Sequence, residues 1–191
     1  MPRRLARALA VVLLLVAVFV VLALAELLVP IASSGASSMA PTIPACTGRV
    51  LAEGLTYKFR DPRRGEIVAI HAVGTLDGDI APDPDSRDVT LTKRVVGVPG
   101  DQVLARGGRV YVNGVKIDDI RTRDFKRVDL GGEQFFVLGD NRSASQDSRD
   151  FGPVPGDAIF GRVFLVFWPL GDFGSPESRH AGAPPGPTIC D

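Results

Sequence analysis

Histidine and cysteine are scarce in this chain, with two of each in 191 residues. His180 lies in a Pro- and Gly-rich C-terminal stretch. His71 ends an apolar strand candidate with no evident carboxylate beside it, so a Ser-His-Asp triad is disfavoured. Cys46 and Cys190 are too few for a disulfide framework or a structural zinc cluster. One bridge between them in an oxidising compartment, or two unpaired residues, are both open. Net charge is missing as well: 22 basic residues balance 22 acidic ones, which excludes the basic footprint of a nucleic-acid binder. Beyond residue 30 no segment carries a long helical period, and no internal repeat is present.

A long apolar run is present, at the N-terminus. Arg3, Arg4 and Arg7 precede ALAVVLLLVAVFVVLALAELLV, residues 8–29, in which Glu26 is the only charge. At a rise of about 1.5 Å per residue this run is long enough for a bilayer core. The next basic residue is Arg49, so the positive-inside rule leaves the N-terminus in the cytoplasm and exports the rest. Ala23-Leu24-Ala25 ahead of Glu26 also fits a signal-peptide cleavage site. The run is longer than a usual signal core, which favours an uncleaved anchor. The organisation expected is a cytoplasmic tail (1–7), a transmembrane anchor (8–29), an exported β domain (30–170) and a flexible tail (171–191).

The exported part reads as short strands broken by Gly, Pro, Asp and Asn. RRGEIVAIHAV is a strand opened by Gly65, and EQFFVLGDN is a strand ending in a turn. GGRVYVNGVKI alternates around Asn113-Gly114, a strong hairpin signal. AIFGRVFLVFWPL is a strand pair or one bent strand, with Trp168 either in the core or at a membrane interface. GTLDGDIAPDPDSRD, residues 74–88, is a polar surface loop. The fold class expected is all-β and mainly antiparallel, on an N-terminal transmembrane helix.

Two segments carry chemistry. In DVTLTKRVVGVPGD, strand alternation puts Lys93 on one face with Val89, Leu91 and Val95, and Arg94 on the other with Thr90 and Thr92. An ammonium on an apolar face is disfavoured by desolvation. An unperturbed lysine is neutral in about one molecule of 2,500 at pH 7, whereas burial lowers its pKa by up to about 3–5 units and makes it a base. A snorkelling lysine or an edge-strand gatekeeper is the structural alternative. The partner such a base needs is a hydroxyl, and Ser38 in Ser-Ser-Met-Ala-Pro-Thr-Ile stands just beyond the apolar run. GDNRSASQDSRDFG, residues 139–152, is either a solvated loop or a polar shell supporting a site.

These segments together resemble the type I signal peptidases (leader peptidases). The resemblance rests on Ser38-Met39-Ala40-Pro41-Thr42, on Arg64-Gly65-Glu66-Ile67-Val68, on KRVVGVPGD from Lys93, and on GDNRSASQDSR from Gly139 to Arg149. It spans most of residues 30–168, in the family's order and behind an N-terminal anchor. It implies that Ser38 is the nucleophile, Lys93 the general base and Ser145 the group that holds the lysine amine. Asp147 and Arg149 would form a structural ion pair, with Asp140 and Arg94 as further motif positions. Met39, Leu91 and Thr92 would lie near a shallow pocket for small side chains, hence an Ala-x-Ala preference. The backbone N–H of Ser38 would serve the oxyanion hole. Ala36 stands where some members carry a serine hydroxyl for that purpose, and Ser143-Ala144 replace a frequent Asp-Asn pair. The spacing between Lys93 and the last motif leaves no room for the large extra β domain of some members, as in the compact form of Gram-positive bacteria.

The function so implied is removal of signal peptides from exported pre-proteins by a single-pass enzyme of the cell membrane. Its catalytic domain would be on the outer face, in contact with the bilayer and the secretion translocon. No metal, organic cofactor or nucleic acid is implied. A self-cleaving Ser-Lys repressor of the SOS type, or a catalytically silent tethered β domain binding a secretion partner, are the rival readings.

Overall fold

Strand alternation organises the chain beyond its first helix. The computed structural model describes residues 2–25, 28–32, 37–74 and 79–176, with side chains for 7–21 and from 37 onward. Helix α1 covers Pro2–Ala25. Its described side chains, Arg7 through Val21, are all exposed. Among the described residues, no helix is long and apolar enough to cross a membrane.

Among the described residues twelve strands follow: β1 (Leu28–Ala32), β2 (Arg49–Glu53), β3 (Ile67–Gly74), β4 (Ile80–Pro82), β5 (Val89–Gly97), β6 (Gln102–Arg106), β7 (Arg109–Val112), β8 (Val115–Lys116), β9 (Phe125–Asp129), β10 (Gln134–Leu138), β11 (Val154–Pro155) and β12 (Ile159–Trp168). One short helix, α2 (Ser148–Phe151), lies between β10 and β11. The larger sheet runs β1-β2-β12-β3-β5-β10-β11 with β4 on β3, and the smaller runs β8-β7-β6-β9. Every pairing is antiparallel.

The expected all-β, antiparallel class is therefore present. The Asn113-Gly114 hairpin forms with Val112 opposite Val115, and both turn residues have positive φ (51° and 81°), as a two-residue loop requires. AIFGRVFLVFWPL is one bent strand, β12, whose register shifts against both neighbours.

Three boundaries differ from expectation. Leu28 and Val29 were expected in the anchor, but they open β1, which pairs from Leu28 opposite Glu53 to Ala32 opposite Arg49. The loop at 74–88 contains β4, whose Ile80 is buried against the core; three residues between acidic turns are too few to show alternation. The tail begins later than residue 171, because Gly174 forms a bridge with Val166. Residues 177–191, including His180 and Cys190, lie outside the described residues.

The central strand β3 is buried on both faces. Val68, Ile70 and Ala72 join one cluster with Leu91, Val95 and Val137, while Ile67 and Ala69 join another with Val50, Val163 and Met39. Each such fully buried Val or Ile contributes about 1.5–3 kcal/mol relative to exposure. A third cluster ties the small sheet to the large one through Val96, Val103, Val110, Phe136 and Leu138. This packing sets β5 as a rigid platform between β3 and β10.

Candidate active site

Lys93 sits in the middle of β5, paired opposite Val68 of β3. The alternation holds: Leu91, Lys93 and Val95 are buried, and Thr92 and Arg94 on the other face are half-buried. Lys93 is 3% exposed, and its Nζ lies 2.8 Å from Ser38 Oγ. Burial pushes the Lys93 amine down from 10.5 to about 8. The Asp147 charge acts to raise it and the Arg149 charge to lower it. At pH 7 roughly one amine in ten is then neutral, against about one in 2,500 for a free lysine.

Ser38 is presented by a turn spanning residues 37–43, closed by Ala40 N–H on Ser37 O and Ile43 N–H on Met39 O. Two groups of the 139–142 turn fasten it from the other side. Asn141 N–H donates to Ser38 O, and Asn141 Nδ2 donates to Ser37 O at 3.2 Å. Thr42 Oγ1 donates to Asp140 Oδ2 at 2.6 Å. Asp140 is held in turn by a bidentate Arg94, Nε to Oδ1 at 2.8 Å and Nη2 to Oδ2 at 2.7 Å. Arg94 Nη1 also donates to Gly65 O at 2.7 Å. Lys93 thus meets the nucleophile turn directly, and Arg94, from the opposite face of the same strand, supports it through Asp140.

Asp147 is the second hub. It is wholly buried and N-caps α2, accepting from Arg149 N–H in a capping box completed by Asp150. Arg149 grips it at 2.7 Å through both Nε and Nη2. Gly139 N–H and Ser145 Oγ also donate to it, at 3.0 and 2.8 Å. Burial acts to raise the Asp147 pKa, but the Arg149 guanidinium and these donors hold it below the usual carboxylate range. The Ser145 hydroxyl, expected on the lysine amine, is directed to Asp147 and to Gln146 O. Gly139 has no room for a side chain, since a Cβ there would meet Ser145 and the Ser38 carbonyl.

Met39 and Leu91 are core residues, each 5% exposed, in the clusters on either side of β3. Thr92 lies half-buried on the face of β5 opposite Lys93. Cys46 is disulfide-bonded; Cys190 and the Ala36 position fall outside the described residues. Among the described residues, no group of three or more His, Cys, Asp or Glu could hold a metal ion. Sequence reasoning missed Thr42, Asn141 and Arg142 as structural members of this site. All three lie inside the quoted motifs, and only the fold shows where their side chains go.

The family described as "Signal peptidase, peptidase S26" matches residues 4–168. The chain belongs to this family. The family and enzyme class expected from the motifs are thereby borne out. A probable signal peptidase I-2 of Synechocystis is 37% identical over 139 residues, covering 70% of this chain and 61% of that protein. A signal peptidase I of Leptolyngbya laminosa is 37% identical over 149 residues, covering 74% of this chain and 71% of that protein. The chain thus spans less than two thirds of the Synechocystis relative. A crystal structure of a signal peptidase I from Enterococcus faecalis is 28% identical, covering 54% of this chain and 97% of that one at a TM-score of 0.42, a likeness too slight to bear weight alone.

Proposed function

We propose that this S26 peptidase is a membrane-anchored serine endopeptidase that removes signal peptides from exported pre-proteins after small-x-small sites such as Ala-x-Ala. The observation that carries this reading is the 2.8 Å separation between a buried Lys93 Nζ and Ser38 Oγ. Neutral Nζ takes the Ser38 proton as Oγ attacks the scissile carbonyl. The ammonium so formed gives the proton to the departing amine, leaving an acyl-enzyme. Water then enters, Nζ takes its proton, and the signal peptide leaves with a free carboxylate while Ser38 recovers its hydroxyl. The Ser38 backbone N–H serves the developing oxyanion.

The remaining residues position this pair. Asp140 and Arg94 fix the nucleophile turn, and the Asp147–Arg149 pair fixes the 139–149 loop. Ser145 holds the amine in place, here through the Asp147 charge to which its hydroxyl donates. Leu91, on the Lys93 face of β5, borders the substrate's path beside the dyad, where limited space favours small side chains; Met39 and Thr92, on other faces, enter only as the residues the motifs assign to that pocket. The apolar run from residue 8 to the end of α1 at Ala25 anchors the domain with the N-terminus in the cytoplasm. The catalytic domain, from β1 at Leu28 to at least Gly174, then stands at the outer face of the cell membrane beside the bilayer and the translocon. The disulfide at Cys46 suits such an oxidising setting.

The test is cleavage of a precursor bearing an Ala-x-Ala site by the full chain in detergent or liposomes. Ser38→Ala and Lys93→Arg should each lower the rate by at least about a thousandfold while remaining folded. A folded wild type that leaves the precursor intact would overturn the proposal.

A further inference from the structure

Beside Ser145 the chain forms an open cleft of about 410 Å³. Four guanidiniums line it, those of Arg121, Arg123, Arg142 and Arg149, with the hydroxyl residues Thr122, Ser143 and Ser145 between them. Among the described residues, no acidic side chain lines the cleft. The carboxylates behind its wall are already engaged: Asp118 by Arg142, Asp150 by Arg123 and Asp147 by Arg149. Four cations against three anions leave the site net positive.

The guanidiniums are not equally satisfied. Arg149 is saturated, with Nε and Nη2 on Asp147, Nη1 on Thr122 Oγ1 and Arg142 O, and Nη2 also on Ser145 O. Arg142 is 6% exposed; its Nε donates to Gly139 O and its Nη2 to Asp118. Its Nη1 is buried with no acceptor, one of two such side-chain atoms among the described residues. A buried charged donor left unpaired is costly, so the position is built for an acceptor that the chain itself does not provide. Arg121 makes no ion pair among the described residues and is exposed.

From this geometry we infer that the arginine cleft beside Ser145 is a binding site for a phosphate group, a mono- or diester, lined by the buried, incompletely paired Arg142 and by the exposed Arg121 and Arg123. Planar guanidinium forks match the oxygens of a tetrahedral phosphate in pairs, and the volume admits a phosphate with a small substituent. The group could come from a lipid headgroup at the surface where the domain is proposed to stand, or from a soluble phosphate. Because Ser143, Ser145 and Arg142 belong to the loop that carries Asp140 and Asp147, occupancy would stiffen the support of the dyad.

The test uses the full chain in a nonionic detergent, titrated with inorganic phosphate while the thermal midpoint and the heat of binding are followed. Binding should saturate and raise the midpoint. Arg121→Gln with Arg123→Gln, both outside the core, should weaken it by roughly tenfold per guanidinium removed. A second arm places the chain in phosphatidylcholine nanodiscs with and without phosphatidylglycerol. Loss of phosphate binding only in the presence of phosphatidylglycerol supports the site with a headgroup as its source. Phosphate binding unaffected by that lipid supports it with a soluble source. The inference is overturned if phosphate and phosphatidylglycerol shift the wild type no more than the double variant. Binding is read without any peptidase assay, so this outcome is independent of the proposed cleavage activity.

Discussion

Arg94 clamps Asp140 with two parallel hydrogen bonds, at 2.8 and 2.7 Å. The same carboxylate receives the Thr42 hydroxyl from the turn that presents Ser38. The base and the clamp are consecutive residues of β5, so the strand fixes the distance between nucleophile and base from both of its faces.

Asp140→Asn removes the charge of the clamp and half of its bidentate geometry. Displacement of the Ser38 turn by even about 1 Å costs on the order of a hundredfold in rate. The expected result is a fall in kcat with little change in KM, and Thr42→Val should show a milder form. Unchanged kcat in Asp140→Asn would mean that the turn holds its place without the clamp.

Lys93 imposes a stability cost that its removal should relieve. Its folded-state value, about 8, lies below that of the unfolded chain, near 10.5. The unfolded state therefore binds the proton more readily. The penalty is full below about pH 8 and fades as pH rises toward the unfolded value. The shift corresponds to about 3 kcal/mol as an upper figure. Lys93→Met should unfold at higher denaturant at pH 7, and its advantage should shrink by pH 10. A variant equally or less stable at pH 7 would contradict the desolvation of this amine.

Asp147→Asn leaves Arg149 buried without its counter-charge and weakens the cap of α2. Breaking a buried pair from one side costs about 3–5 kcal/mol, to be read by chemical denaturation. Asp147 is held below the usual carboxylate range, so its contribution is present above about pH 4 and is lost as pH falls below that. The wild type should lose stability in that acid range, and the variant should lack that component.

Gly139→Ala inserts a methyl group against the Ser38 carbonyl and Ser145. The hydrophobic clusters lie elsewhere, so the fold should persist while cleavage falls sharply. Near-UV circular dichroism with an activity assay separates the two; full activity would show that the loop can yield.

Much of this was legible in the sequence, for identifiable reasons. Alternation in DVTLTKRVV placed Lys93 on the buried face because a period of two is set by the backbone. Asn113-Gly114 announced its hairpin because positive φ is a local demand. The meeting of Ser38 and Lys93, 55 residues apart, was legible only through motif resemblance, since no local rule brings distant segments together. Thr42 on Asp140 and Ser145 on Asp147 were not legible: a hydroxyl in a polar loop has many possible partners, and the choice is made by tertiary packing. The arginine cleft was hidden for the same reason, because Arg121 and Arg123 join Arg142 and Arg149 only once β9 and the 139–149 loop are in place.

The most direct measurement is the pH dependence of kcat/KM for precursor cleavage by the full chain, which reports ionisations of the free enzyme. If neutral Lys93 is the base, the rate rises with pH along a single limb with an apparent pKa near 8. A limb above 10, or none between pH 6 and 9 in a cleaving wild type, would show that the amine buried against Ser38 is not the group that takes its proton.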